Sequence, residues 1–162
     1  DLAGACRGIA EFRGVRRRFE LHTGPNGGVL VNDYAHHPAE IRAVLQTARR
    51  RFPRSRLLVV FQPHQHQRTR CLLAPFAEAL AAADVAIVAD IYGARESADV
   101  VASVSAADLV DAVRASGADA HAGGPVAGLP DVVAAHRTAA DVVLVLGAGD
   151  VDRAVGGIVA RL

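Results

Sequence analysis

The chain has 162 residues, a length that fits one domain, and 51% of them are apolar, enough to fill a core. A formal net charge of +1 gives no support to a nucleic-acid partner, and the apolar runs, short and broken by charge, contain neither a signal peptide nor a membrane span. Cys6 and Cys71 are too few for a disulfide framework and match no metal-binding spacing, which fits a reducing cytoplasm.

Residues 1–12 read as a helical or irregular lead-in, because Gly4 and Gly8 weaken a helix. Residues 15–22 and 28–33 read as strands, and Thr23-Gly24-Pro25-Asn26-Gly27-Gly28 between them has turn chemistry, so an antiparallel hairpin is expected. Pro38 suits the first position of a helix, where its missing N–H costs nothing. Ile41, Val44, Leu45 and Ala48 continue that helix to about Phe52. Leu57 to Phe61 is a continuous apolar run, typical of a strand buried on both faces. Residues 69–83 read as a helix, with a late start or a kink at Pro75.

Val85 to Ala89 is a further buried strand. Ser105-Ala106-Ala107-Asp108 resembles a capping box and opens a helix to about Ser116, which Gly117 ends. A short strand is expected near Asp119–Ala122, a break at Gly123-Gly124-Pro125 and a helix over 130–139. Val142 to Leu146 is the last strand and Val151 to Leu162 the last helix. The alternation predicts an α/β fold: a Rossmann-like, mostly parallel sheet with helices on both faces and an N-terminal antiparallel β-hairpin. With aromatics at 4% and no Trp or Met, Val, Ala and Leu must build its core.

The densest chemistry lies where Val29-Leu30-Val31 runs into Asn32-Asp33-Tyr34-Ala35-His36-His37-Pro38-Ala39-Glu40. An acid, a phenol and two imidazoles stand there at the carboxyl end of a strand, where open α/β sheets bind ligands. Asp33 can accept ribose hydroxyls, hold an arginine, or simply sit as an acid favoured at a helix N-terminus. His36 and His37 can orient a small polar substrate or relay a proton near neutral pH, or be plain polar surface. Arg68 can grip a carboxylate through paired hydrogen bonds, and an arginine at a helix start is otherwise disfavoured by the dipole. His64-x-His66 with His36 and His37 also permits a metal reading, but no cysteine or carboxylate is spaced to complete the set. Arg16, Arg18 and Glu20 alternate with Arg17 and Phe19, as on a charged edge strand that resists aggregation. The whole basic run is Arg13, Arg16, Arg17 and Arg18. Gly147-Ala148-Gly149-Asp150 lacks the third glycine of a dinucleotide fingerprint, and its small residues suit a close backbone approach or a tight turn. Tyr92-Gly93-Ala94-Arg95-Glu96 reads as a loop able to wall the same edge.

Asp33-Tyr34-Ala35-His36-His37-Pro38 resembles the signature of the C-terminal domain of the Mur ligases, ATP-dependent enzymes that add amino acids to the peptidoglycan precursor. Phe61-Gln62-Pro63-His64-Gln65-His66-Gln67-Arg68-Thr69-Arg70 resembles the segment of the branch that joins L-alanine to UDP-N-acetylmuramate. Phe12-x-Gly14 leading to Arg17-Arg18-Phe19, then Asp90 to Glu96 and Leu146 to Asp150, follow in the family's order. The resemblance implies an acyl-phosphate intermediate made with ATP and Mg²⁺, and an alanine amine that attacks it. Arg18 and His36 would be catalytic. Arg18 and Asp33 would meet ATP, and Tyr34, His36, His37, His64 and Arg68 the amino acid, with Arg70 a weaker candidate. The chain departs from the commonest form at Gln65, where many relatives carry a second arginine, and at His66, where an aromatic residue is frequent.

The chain starts at Asp1 and contains no Gly-x-x-x-x-Gly-Lys-Ser/Thr phosphate loop. It reads as an excised domain lacking the N-terminal UDP-sugar domain and the central ATPase domain. That central domain would be its partner and would hold most of the ATP and Mg²⁺, so the fragment alone is expected to be inactive. The alternatives are the related ligase that recycles a murein tripeptide, a non-catalytic nucleotide- or amino-acid-binding module, and a zinc hydrolase.

Overall fold

A computed structural model describes residues 1–12 and 14–162; Arg13 of the basic run lies outside the described residues. One sheet contains β1 (Glu20–Thr23), β2 (Val29–Asp33), β3 (Arg56–Phe61), β4 (Val85–Ala89), β5 (Ala120–Gly124) and β6 (Asp141–Leu146), in the order β1-β2-β6-β3-β4-β5. The β1–β2 pair is antiparallel and the other neighbours are parallel. The helices are α1 (Leu2–Glu11), α2 (Pro38–Arg51), α3 (His66–Cys71), α4 (Leu73–Leu80), α5 (Ala98–Val101), α6 (Ala106–Ala115), α7 (Leu129–His136) and α8 (Val155–Val159). Single 3₁₀ turns precede α7 and α8. Among the described residues, no helix is long and apolar enough to cross a membrane.

The two-residue period of a strand divides the apolar runs between two faces. Leu57, Val59 and Phe61 of β3 and Val142, Leu144 and Leu146 of β6 cluster with Ile41 and Leu45 of α2, Phe76 and Leu80 of α4, and Leu109 and Val113 of α6. Leu58, Val60, Val143 and Val145 cluster with Leu129 and Val133 of α7 and Val155 and Ile158 of α8. The expected parallel sheet with helices on both faces is thus observed. Local signals also hold. Pro38 is the first residue of α2, and Ser105 and Asp108 exchange cap bonds at α6 of 3.3 and 2.7 Å.

Several boundaries differ from the expectation. The strand expected over 15–22 is reduced to β1, because Arg17 (φ 54°) and Phe19 (φ 48°) take left-handed backbone that no ladder accommodates. The alternating faces read into Arg16 to Glu20 therefore do not exist as a strand. The helix expected over 69–83 is two helices that meet at Leu72 (φ −116°). The first begins earlier, at His66, and Pro75 sits in the first turn of α4, where a missing N–H is tolerated. Gly123 and Gly124 complete β5 rather than break the chain, α7 ends at His136, the last helix opens as a 3₁₀ turn, and α5 had no expected counterpart.

The hairpin rests on the far end of the chain. A Cβ on Gly24 would stand 2.5 Å from Leu162 Cβ and 2.8 Å from the Val159 carbonyl oxygen. Gly156, in α8, has nothing within 4 Å of a built Cβ. Gly24→Ala is expected to cost about 2 kcal/mol through overpacking, whereas Gly156→Ala is expected to be neutral or stabilising. Urea denaturation midpoints compare them, and equal midpoints would contradict this packing.

His121 of β5 and His136 at the end of α7 stack with ring centroids 3.9 Å apart. Burial first, then the neighbouring His121, hold the His136 pKa below the ordinary histidine value against the pull of Asp119. The unfolded chain binds this proton more readily, so the contribution to stability is complete above about pH 6.5 and lost as pH falls below it. His136→Gln should therefore lose less stability than the parent between about pH 7.5 and pH 5.5. Parallel urea titrations read this directly, and an equal loss in both would exclude it.

Candidate functional site

Chain order and spatial order part company at β6, which returns to lie between β2 and β3. In parallel sheets this reversal opens a crevice at the carboxyl ends of the strands. Four segments emerge there: Asp33–His37 after β2, Gln62–Arg68 after β3, Asp90–Glu96 after β4 and Gly147–Asp150 after β6.

Aromatic and imidazole rings from three of these segments form a row. Tyr34 and His36 lie 5.5 Å apart edge to face, His36 and His64 lie 6.4 Å apart, and His64 stacks on Tyr92 at 5.4 Å. The His36 Nδ1 sits 3.1 Å from the Tyr34 carbonyl oxygen and 3.3 Å from Glu40 Oε2, both acceptors. It therefore carries a hydrogen and donates toward them. Burial, then the Arg68 guanidinium and His36, push the His64 pKa down against Glu96, so this ring is neutral at neutral pH. Its Nδ1 is buried with no hydrogen-bond partner.

The arginines beside the row differ in role. Arg17 is built into the scaffold: Nη2 donates to the carbonyls of Gly147 and Gly149, Nη1 stands 3.5 Å from Asp152 Oδ1, and the guanidinium lies 4.7 Å from the Tyr34 ring centroid. Arg18 is exposed, and its guanidinium lies 5.6 Å from the same ring. Burial would raise the Glu40 pKa, but the His36 and His37 amides and the charges of His36 and Arg18 outweigh it and hold it low. Among the described residues, neither Arg18 nor Arg68 has a carboxylate within ion-pair distance.

Other expected site residues are engaged internally. Asp33 is 7% exposed; its Oδ2 accepts from the Phe19 amide and its Oδ1 from the Ala35 amide, each at 2.8 Å. It thereby ties the segment before β1 to the end of β2. His37 is the N-cap of α2, its Nδ1 accepting from the Ala39 amide at 3.3 Å. His66 Nδ1 donates to Glu96 Oε2 at 2.8 Å. The crevice therefore gathers Tyr34, His36, His64, Arg68 and Arg18, while Asp33, His37 and His66 hold the walls in place. Arg70 is exposed on α3.

Sequence reasoning did not single out Arg17, Gln62 or Glu96 for these roles. The Gln62 side chain donates to Asp150 Oδ1 at 2.9 Å and accepts from the Val151 amide at 3.0 Å, pinning the loop after β6. Gly149 is needed there for close approach, since a Cβ would stand 2.5 Å from Gln62 Oε1 and 2.8 Å from Tyr92 Cγ. Glu96 receives the His66 and Gln67 amides at 2.8 and 2.9 Å as well as the His66 ring. Gln62 and Glu96 both fall inside motif segments, which was the available signal. Among the described residues, no group of three or more His, Cys, Asp or Glu side chains is arranged to hold a metal ion.

The profile of the family described as "Mur ligase, glutamate ligase domain" matches residues 17–149. The UDP-N-acetylmuramate–L-alanine ligase of Chloroflexus aggregans is 41% identical over 162 residues, covering 100% of this chain and 34% of that protein. The structure of the UDP-N-acetylmuramate–alanine ligase of Thermotoga maritima superposes with a TM-score of 0.78 at 32% identity, over 99% of this chain and 33% of that one. A murein peptide ligase from Psychrobacter arcticus gives a TM-score of 0.69 at 18% identity, over 98% and 33%, and shares the fold. The chain spans about a third of the length of the curated relatives it matches. On the profile match and the relatives' identity, the chain belongs to the Mur ligase family.

Proposed function

We propose that this chain is the C-terminal, amino-acid-binding domain of an ATP-dependent ligase that joins L-alanine to UDP-N-acetylmuramate in peptidoglycan synthesis. One observation carries the reading: Arg68, a guanidinium without an ion-pair partner among the described residues, stands close enough to a neutral His64 to lower its pKa. A cation without a carboxylate partner beside a neutral ring suits a small zwitterion. The Arg68 guanidinium takes the alanine carboxylate, the neutral His64 ring receives the amine without repelling it, and His36 flanks the same space. Tyr34 closes the side of the pocket between His36 and the arginines. His37 contributes to the same site through the α2 cap that orients His36.

Activation of the sugar carboxyl requires ATP and Mg²⁺. Arg18, exposed and without an ion pair among the described residues, suits a phosphate oxygen. Asp33, with both oxygens already accepting amides, supports the ATP-facing edge by fixing the segment that carries Arg18. A separate ATPase domain of the complete polypeptide supplies Mg²⁺ and most of the ATP contacts. When bound there, the metal offsets charge on the phosphates. Closure of this domain on that one excludes water from the activated carboxyl. The reaction belongs to the cytoplasm, where ATP is available.

The test uses the complete polypeptide that carries this chain. Phosphate release with ATP, Mg²⁺, UDP-N-acetylmuramate and L-alanine should depend on alanine. Arg68→Ala should raise the KM for alanine by roughly 10–100-fold, the worth of a charged hydrogen-bond pair, with KM for ATP unchanged. Turnover with a murein tripeptide and not with alanine would replace this reading by the recycling ligase. This chain alone is expected to release no phosphate, and release by it would contradict the assignment of ATP to another domain.

A further inference from the structure

The helix that carries Arg68 has no side-chain N-cap of its own. α3 is 6 residues long, and its N-cap, Gln65, makes no side-chain cap bond and holds a left-handed φ of 71°. Its first amides would be orphans unless another segment supplied acceptors. That segment is the loop after β4, about thirty residues further along the chain. Glu96 Oε2 accepts from the His66 amide at 2.8 Å, and Oε1 accepts from the Gln67 amide at 2.9 Å. The His66 ring donates to the same Oε2 at 2.8 Å.

The contact is part-buried and reinforced. The Glu96 side chain is 8% exposed. Burial alone would raise its pKa, but the amides of Gln67 and His66 and the His66 ring hold it below the ordinary value, so it stays an anion. Backbone bonds zip the same two loops together: Tyr92 N donates to the Pro63 carbonyl and Gln65 N to the Tyr92 carbonyl, each at 2.9 Å. Gly93 completes the fit, since a Cβ there would stand 3.3 Å from His66 Cε1. The Arg68 carbonyl accepts from the Leu72 amide at 2.9 Å, so Arg68 is held by the helix that Glu96 anchors.

We propose that Glu96 is a positioning residue for the amino-acid site: by capping α3 from a distant loop it sets where the Arg68 guanidinium stands. The proposal rests on the carboxylate-binding role given to Arg68 above. Paired hydrogen bonds to a carboxylate are directional, and a displacement near 1 Å in a site of this kind can cost about a hundredfold. Glu96 touches no substrate, and its effect reaches alanine through α3. It also explains His66: the ring is turned to the cap, and it serves the helix rather than the ligand.

The experiment is a double-mutant cycle in the complete polypeptide, comparing the parent, Glu96→Gln, Arg68→Ala and the double variant. Glutamine keeps the shape of the side chain and removes the charge. Glu96→Gln should raise the KM for alanine about tenfold while kcat and the KM for ATP change by less than about twofold. In the Arg68→Ala background the same substitution should leave the KM for alanine unchanged. Hydrogen exchange of the His66 and Gln67 amides should accelerate in Glu96→Gln while the β3 amides keep their protection. An unchanged KM for alanine in Glu96→Gln, or equal effects in both backgrounds, overturns the positioning role and leaves the proposed reaction standing. A parent enzyme inert with alanine overturns the proposed reaction and this inference with it.

Discussion

Strand β6 must leave the growing edge of the sheet and insert between β2 and β3. The ladder does not stop at the strand ends. Gly147 donates to the Asp33 carbonyl at 3.2 Å, and Gln62 donates to the Leu146 carbonyl at 3.0 Å. The loops that follow β2, β6 and β3 are therefore fixed to one another before any side chain is considered. Every residue of β6 is buried, which its neighbours on both sides and helices on both faces require. That insertion sets the spacing between the loops that carry His36 and His64, one strand apart on either side of β6. The pairing joins segments more than a hundred residues apart, so it is among the most non-local contacts in the chain.

Charge is then distributed around the crevice in a graded way. Arginine supplies all 18 basic residues of the chain. Several are tied to the scaffold: Arg49 to Asp84 at 2.7 Å, Arg56 to the buried Asp141 at 3.1 Å, and Arg17 to the loop after β6. Arg18 and Arg68 have no such partner among the described residues. Neighbouring positions thus do opposite things, because the left-handed turn at Arg17 sends that side chain into the protein and leaves Arg18 outside. Acids follow the same logic. Asp33 and Glu96 are satisfied by backbone amides, and each ties together segments that the sheet alone would not hold.

The parallel layers were legible because β3, β4 and β6 are continuous apolar runs and because Pro38 and Ser105 mark helix starts that nothing overrides. The strand order was not legible, since the period of an apolar run says which faces are buried and not which neighbour it pairs with. Left-handed backbone at Arg17, Phe19 and Gln65 is also silent in sequence, because none of these residues prefers it. That silence produced the overlong first strand. At the candidate site, the motif segments meet at one sheet edge, yet they could not separate residues facing the crevice from those bracing it. His36 and His64 face each other, whereas His37, one residue away from His36, caps a helix. Gln62 and Glu96 act through pairings of 88 and 30 positions in the chain, which no local pattern encodes.

The proposed alanine site is tested most directly by a crystal structure of the complete polypeptide with L-alanine bound. The alanine carboxylate is expected in two hydrogen bonds with the Arg68 guanidinium at about 2.7–2.9 Å, and the amine toward the rings of His36 and His64. Alanine held by another cation, or bound away from the His36–His64–Tyr92 row, would contradict it.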